Sequence, residues 1–236
     1  MAIRQKRISL KYMCGRMAIV VREAAIAQRL KAFIEMNVLI TPPQPGTKPP
    51  EPSYNVAPSA PIPVVSEKED HIQIDTYRWG LIPHWAKDDS MANKCFNARS
   101  ETMAEKPTFR SAFKKSRCVI PISGYYEWKQ DSDGIKHPMY IHGENDDLIY
   151  LAGLCETTTQ SATVITREAH GALKEIHDRQ PIALNHDEIE DWLNPHAAPE
   201  DLLALIQASK GHLTAYEVST AVNNVRNNSK DLLTPL

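Results

Sequence analysis

The chain has 236 residues, 42% hydrophobic and 24% charged, with a formal net charge of −2. That composition reads as soluble and globular, and the near-neutral charge excludes holding nucleic acid by bulk charge, so any such binding must come from a local basic surface. The four cysteines, Cys14, Cys95, Cys118 and Cys155, lack zinc-knuckle spacing and are too few for a disulfide framework, so reduced thiols in a cytoplasmic protein without a metal are expected.

Residues 1–12, MAIRQKRISLKY, carry Arg4, Lys6, Arg7 and Lys11 and no acid, and lack the apolar core of a secretory signal. They read as a short basic tail, or as sequence upstream of the true initiator, Met13. Arg22 to Met36 has the apolar spacing and composition of a helix. Thr41 to Pro63 then holds nine of the seventeen prolines, which implies a stiff ordered loop or a linker. Strands are predicted at Ile62–Ser66, Ile72–Trp79, Cys118–Ile122, Tyr125–Trp128, Met139–His142, Ile149–Leu154 and Ala162–Thr166. Helices are predicted at Pro107–Lys115, Ala169–Ile176, Asp187–Leu193 and Pro199–Ala208. Asn185 is placed to cap the third, with Glu188 three positions on, and Gly211 sits where the last should stop. No apolar run reaches transmembrane length, and there is no internal repeat. The expected fold is a single mixed α+β domain with a curved, partly barrel-like β core flanked by helices, comprising residues 14–236 after an extension at 1–13.

Six short motifs carry chemistry. In Met13-Cys14-Gly15-Arg16 the glycine admits a close approach to the backbone and the guanidinium lowers a thiol pKa; the alternative is a buried structural thiol. In Asn97-Ala98-Arg99-Ser100-Glu101 the asparagine and arginine point the same way if the segment is extended. Glu127, within Gly124-Tyr125-Tyr126-Glu127-Trp128, sits among aromatic residues whose desolvation raises a carboxyl pKa toward the general acid/base range. His177, in Ile176-His177-Asp178-Arg179-Gln180-Pro181, exchanges protons near neutral pH; Asp178 can orient it and Arg179 can meet a phosphate. In Trp79-Gly80-Leu81-Ile82-Pro83-His84-Trp85, core packing is the default for Trp79, whereas Trp85 precedes a loop and is the exposed stacking platform. Arg110 to Arg117 has four basic residues and no acid, either a phosphate-contacting face or the solvated side of a helix. No phosphate-cradling glycine loop is present, and no cofactor is expected.

In this order and spacing, from MCGR at Met13 through YNVAP at Tyr54–Pro58 to IHDRQP at Ile176–Pro181 and the tail VSTAVNNVRN at Val218–Asn227, the chain resembles the SOS-response-associated peptidase family. The resemblance implies covalent capture of abasic sites in single-stranded DNA. The ring-opened sugar presents an aldehyde, with which the amine and thiol of an N-terminal cysteine close a thiazolidine. Carried over by position, Cys14 is the cross-linking residue, Asn97 orients the sugar or the Cys14 backbone, Glu127 shuttles protons, and His177 acts as acid/base in sugar ring opening or in reversal. Arg16, Arg99 and Arg179 are implied to contact phosphates, Asn55 joins the DNA-binding set, and Trp85 wedges or stacks where the strand bends. Some relatives carry a second aromatic where this chain has Ala86. The implied partner is single-stranded DNA bearing an abasic site, met by a monomer in the cytoplasm or on the nucleoid. Two rival readings are a thiol peptidase pairing Cys14 with His177 and a non-covalent single-stranded DNA-binding module.

Overall fold

β-Branched and aromatic residues dominate the middle of the chain, and they fold there into two sheets. The computed structural model describes residues 15–41, 51–69, 71–145 and 148–236. The extension at 1–13, Cys14 and the centre of the proline-rich stretch therefore lie outside the described residues. In chain order the elements are β1 (Met17–Ile19), α1 (Glu23–Leu30), β2 (Asn37–Ile40), β3 (Ser53–Val56), β4 (Pro61–Lys68), β5 (His71–Trp79), β6 (Asn97–Arg99) and α2 (Arg110–Lys115). Four long strands and a short one before them follow: β7 (Arg117–Ile122), β8 (Gly124–Gln130), β9 (Lys136–Gly143), β10 (Ile149–Glu156) and β11 (Ser161–Glu168). The chain ends through β12 (Arg179–Pro181), β13 (Ala183–Leu184), α3 (His186–Leu193), α4 (Pro199–Ala208) and β14 (Leu213–Glu217).

One sheet has the order β14-β9-β8-β1-β3 and the other β12-β11-β10-β7-β4-β5-β2. The second closes on itself, because β5 also pairs in parallel with β11, Arg78 opposite Ser161 and Trp79 opposite Ala162. Strands β11, β10, β7, β4 and β5 thus form a ring, which is the curved, partly barrel-like core expected from the sequence. Alternation explains why β7 and β10 read as continuous apolar runs. Cys118, Ile120 and Ile122 of β7, with Leu151 and Cys155 of β10, fill the ring. Val119, Tyr150, Ala152 and Leu154 face outward into a second core under the helices, with Ile26, Phe113, Ile189, Trp192 and Ile206.

The helices follow their local signals unevenly. α4 spans the predicted residues, and α3 begins with the Asn185–Glu188 capping box. α1 stops at Leu30, well short of Met36, because β2 is drawn into parallel pairing with β5. The predicted helix at 169–176 is only a 3-10 turn, Gly171–Glu175, entered through Gly171 at φ +57°. The basic run at 110–117 divides. Arg110, Lys114 and Lys115 are exposed on α2, but Arg117 is buried. Its guanidinium donates to Trp192 O and Phe113 O, both at 2.9 Å, and to Asn194 O at 2.5 Å, so it satisfies carbonyls left over at two helix C-termini.

The β8–β9 hairpin is tied to β14 by one histidine. His137 Nε2 lies 3.0 Å from Asp131 and Nδ1 lies 2.8 Å from Glu217. Hydrogen bonds to these two carboxylates raise the His137 pKa, and that to His137 lowers the Asp131 pKa. A raised histidine stabilises the fold below its unfolded pKa, about 6.5, and loses that contribution as pH rises through its folded pKa. Melting temperature should therefore fall across that alkaline limb in the parent chain, and His137→Asn should flatten it.

Candidate functional site

The core inside the ring contains residues that flank the expected catalytic motifs. Met17 of β1, Phe96 just before β6, Tyr125 of β8 and Val164 of β11 belong to that cluster, and Ile176 packs against it. Met17 follows Cys14 by three residues, Phe96 precedes Asn97, Tyr125 precedes Glu127 by two, and Ile176 precedes His177. Trp79 closes the cluster, fully buried, with its indole N–H donating to Phe96 O at 2.9 Å. It packs as core, as its sequence setting predicts.

Glu127 is 4% exposed. Strand alternation sets it on the same face of β8 as Tyr125, while Tyr126 faces the third cluster, with Tyr140 and Val222. In the β1–β8 ladder Met17 lies opposite Tyr125, and the Tyr126 N–H donates to Arg16 O at 2.9 Å. One further step of that register sets Gly15, the residue bonded to Cys14, across from Glu127. A Cβ built on Gly15 meets nothing within 4 Å, so the backbone there is open to approach. On the opposite face of β8, burial raises the Tyr126 phenol pKa and lowers that of the Arg16 guanidinium.

Asn97 and Arg99 lie on β6, paired in parallel with β11 so that Asn97 faces Val164 and Arg99 faces Thr166. Buried Ala98 separates them, so the two side chains share a face, as an extended segment requires. Arg99 is exposed. His177 follows the 3-10 turn, and Lys129 of β8 approaches Glu175 of that turn at 3.8 Å. Nδ1 of His177 accepts the Arg179 backbone N–H at 3.0 Å and also lies 3.0 Å from Asp178 Oδ1. The first contact needs a bare nitrogen and the second a protonated one, so the position of the ring proton selects between them.

Three expected DNA-contacting residues, Arg179, Asn55 and Arg16, are engaged within the protein. Arg179, 12% exposed, grips both oxygens of Glu101 and donates to Thr166 O at 2.8 Å; its hydrogen bond holds the Glu101 carboxyl below the usual range. Asn55 is buried. Its Oδ1 accepts from Arg16 at 2.7 Å, and its Nδ2 donates toward Val222 O, Asn224 O and Asn227 O at 3.3, 3.0 and 2.8 Å. Arg16 donates in turn to Val222 O at 2.8 Å. Trp85 is 51% exposed, as the loop after it predicts.

Sequence reasoning missed the work of the C-terminal tail. Besides the Asn55 contacts, Asn223 accepts the Trp128 indole N–H at 2.7 Å, and Asn228 accepts the Tyr54 backbone N–H at 2.7 Å. The tail thus straps β3, β8 and the segment leading from Cys14. The density of asparagines from Asn223 to Asn228 was the available signal. Replacing Asn55 by Ala removes the donor to Asn224 O and Asn227 O and the acceptor of the Arg16 guanidinium, and should cost about 1–3 kcal/mol. Urea denaturation should show this as a lower midpoint at unchanged slope.

Cys95, Cys118 and Cys155 are reduced and buried, and burial raises the thiol pKa of Cys95 and Cys118, so these have the character of core residues. Among the described residues no group of three or more His, Cys, Asp and Glu side chains is placed to hold a metal ion. No helix among them is long and apolar enough to cross a membrane.

The sequence model of the family described as SOS response associated peptidase (SRAP) matches residues 13–225. The abasic site processing protein YoaM of Bacillus subtilis is 42% identical over 192 residues, 78% of this chain and 85% of that protein. The abasic site processing protein YedK of Escherichia coli is 28% identical over 79% of this chain and 87% of its own length. A crystal structure of a protein from Bacteroides thetaiotaomicron superposes with a TM-score of 0.75 at 21% identity, covering 94% of this chain and all of that one.

Proposed function

The chain belongs to the SOS response associated peptidase family, and from that premise we propose that it processes abasic sites in single-stranded DNA by capturing them covalently on Cys14. What supports the reading is the burial of Glu127 on β8, two residues beyond the Met17–Tyr125 pair of the β1–β8 ladder; that register, continued past the end of β1, leads to Gly15, one peptide bond from Cys14. Cys14 must then be N-terminal, so residues 1–13 are absent from the working protein or removed from it, leaving 223 residues (236 − 13). The family match beginning at Met13 supports this.

The Cys14 amine adds to the aldehyde of the ring-opened sugar and water leaves to give an imine; the thiolate then attacks the imine carbon and closes a thiazolidine. Amine, thiol and aldehyde give thiazolidine and one water. Glu127 moves the protons of carbinolamine dehydration and ring closure. His177 assists sugar ring opening or reversal, and Asn97 orients the sugar or the Cys14 backbone. Arg99, exposed beside Asn97, contacts a flanking phosphate, and Trp85 stacks or wedges where the strand turns. Arg16, Asn55 and Arg179 shape this surface through Val222, the tail and Glu101. The protein acts as a monomer on nucleoid DNA in the cytoplasm.

The test mixes the protein beginning at Cys14 with a single-stranded oligonucleotide bearing one abasic site and runs a denaturing gel. A covalent band that vanishes in Cys14→Ser is expected. Tight binding with no covalent band in either protein would instead mark a non-covalent module, and cleavage of a peptide library dependent on Cys14 would mark a peptidase.

A further inference from the structure

A cavity of about 360 Å³ opens beside the Arg16–Asn55 pair. Its walls are apolar, among them Ile19 at the end of β1, Val56 of β3, and Pro61 and Pro63 of β4. Val225 of the tail also lines it, an exposed apolar side chain at 53%. Asn55 is shared between this cavity and the bond to Arg16, so the hollow adjoins the segment that leads to Cys14. Its volume lies toward the small end of the range for small-molecule sites, and the pattern of an apolar body with a few polar groups is that of such a site.

The polar groups decide what fits. Arg22, Glu23 and Glu51 line the cavity. Arg22 is already paired with Glu51 at 3.1 Å, both exposed, and Glu23 accepts from Thr76 Oγ1 at 2.9 Å. One cation and two carboxylates make a net negative rim, which repels a phosphate and accepts N–H donors. A flat, uncharged ring with an amino group at its edge satisfies both the walls and the rim.

We propose that this cavity receives a nucleobase neighbouring the captured lesion, selecting one with an exocyclic amine, such as cytosine, over thymine. This inference rests on the function proposed above and adds a sequence preference to it. Carboxylates accept from the cytosine amino group, whereas thymine offers a carbonyl oxygen at that position. The base enters between the apolar walls while its phosphates stay outside, away from the negative rim.

The experiment uses the protein beginning at Cys14 and single-stranded oligonucleotides with one abasic site, varying the base first 5′ and then 3′ of the lesion. Initial adduct rates and equilibrium binding are measured for cytosine and thymine. On one side, cytosine should be favoured by about fivefold, the scale of one hydrogen bond. Glu51→Gln, which leaves the fold intact because the Arg22–Glu51 pair is exposed, should reduce the preference to within twofold. Val225→Trp, which fills the mouth, should do the same while adduct still forms. Ample adduct with no preference on either side overturns the inference and leaves the proposed function standing. Absence of adduct with every oligonucleotide overturns that function itself.

Discussion

A chain that retains Met1 to Met13 forms no denaturant-resistant adduct with abasic DNA, whereas the same chain beginning at Cys14 does. The difference lies in one nitrogen. A free α-amine has a pKa near about 8, and a thiol near about 8.5, so near neutral pH both nucleophiles are present in usable fractions. Condensation to an imine needs the nitrogen lone pair for attack on the carbonyl carbon and removes both N–H hydrogens as water forms. With Met13 attached, that nitrogen is a planar amide whose lone pair is delocalised into the carbonyl, and it has a single hydrogen. The thiol is then left to act alone and gives only a hemithioacetal, which reverts when the DNA is denatured. The two forms share every described element, because those begin at Gly15, and adduct yield should go from substantial to none. Intact-mass analysis of the natively expressed protein decides which form exists. Retention of residues 1–12 would sink the thiazolidine mechanism for this chain.

Much of this arrangement was legible in the sequence, and the part that was not has a common cause. Long strands with strong apolar patterning, β4, β5, β7, β10 and β11, were found within a few residues, as were α3 with its cap and all of α4. The strands that were missed, β1, β2, β3, β6, β12, β13 and β14, have two to five residues each, too few to show a period. They exist because longer strands offer them backbone partners, as β11 does for β6 and β12. These short pieces are also the ones that present Arg16, Asn55, Asn97 and His177 or lie beside them. The candidate motifs could therefore be listed in order, but the elements that hold Asn97, Glu127 and His177 beside the core could not be read as a set. Individual side chains divide along the same line. Trp79 and Trp85 were sorted correctly between core and surface from their immediate neighbours. Arg117, Arg179 and Asn55 look like DNA-binding residues in sequence, but their partners are Trp192, Glu101 and Val222, remote residues that only the fold supplies.

Glu127→Gln should slow adduct formation by roughly 10²- to 10⁴-fold, the usual contribution of a positioned general acid/base, while leaving the fold and abasic-DNA affinity near those of the parent. Gln has the shape of Glu and fits the same buried position on β8. It keeps hydrogen-bonding capacity but cannot take up and release a proton, so it isolates proton transfer from packing. Imine formation needs that transfer twice over: the carbinolamine oxygen must leave as water, and the nitrogen must be relieved of a proton. The later attack of the thiolate on the imine carbon needs a proton delivered to nitrogen. A single carboxyl on the ring-facing side of β8, across from Gly15, is placed to serve these steps in sequence without exchange with bulk water, from which it is 4% exposed. Single-turnover adduct formation followed across pH separates this role from a structural one. The parent should show a dependence that includes an ionisation absent from Glu127→Gln, and the variant should recover partially in the presence of small carboxylic acid buffers. A variant with an unchanged rate, or one whose whole loss is explained by weaker DNA binding, would remove Glu127 from the chemistry and leave it as a buried support for β1.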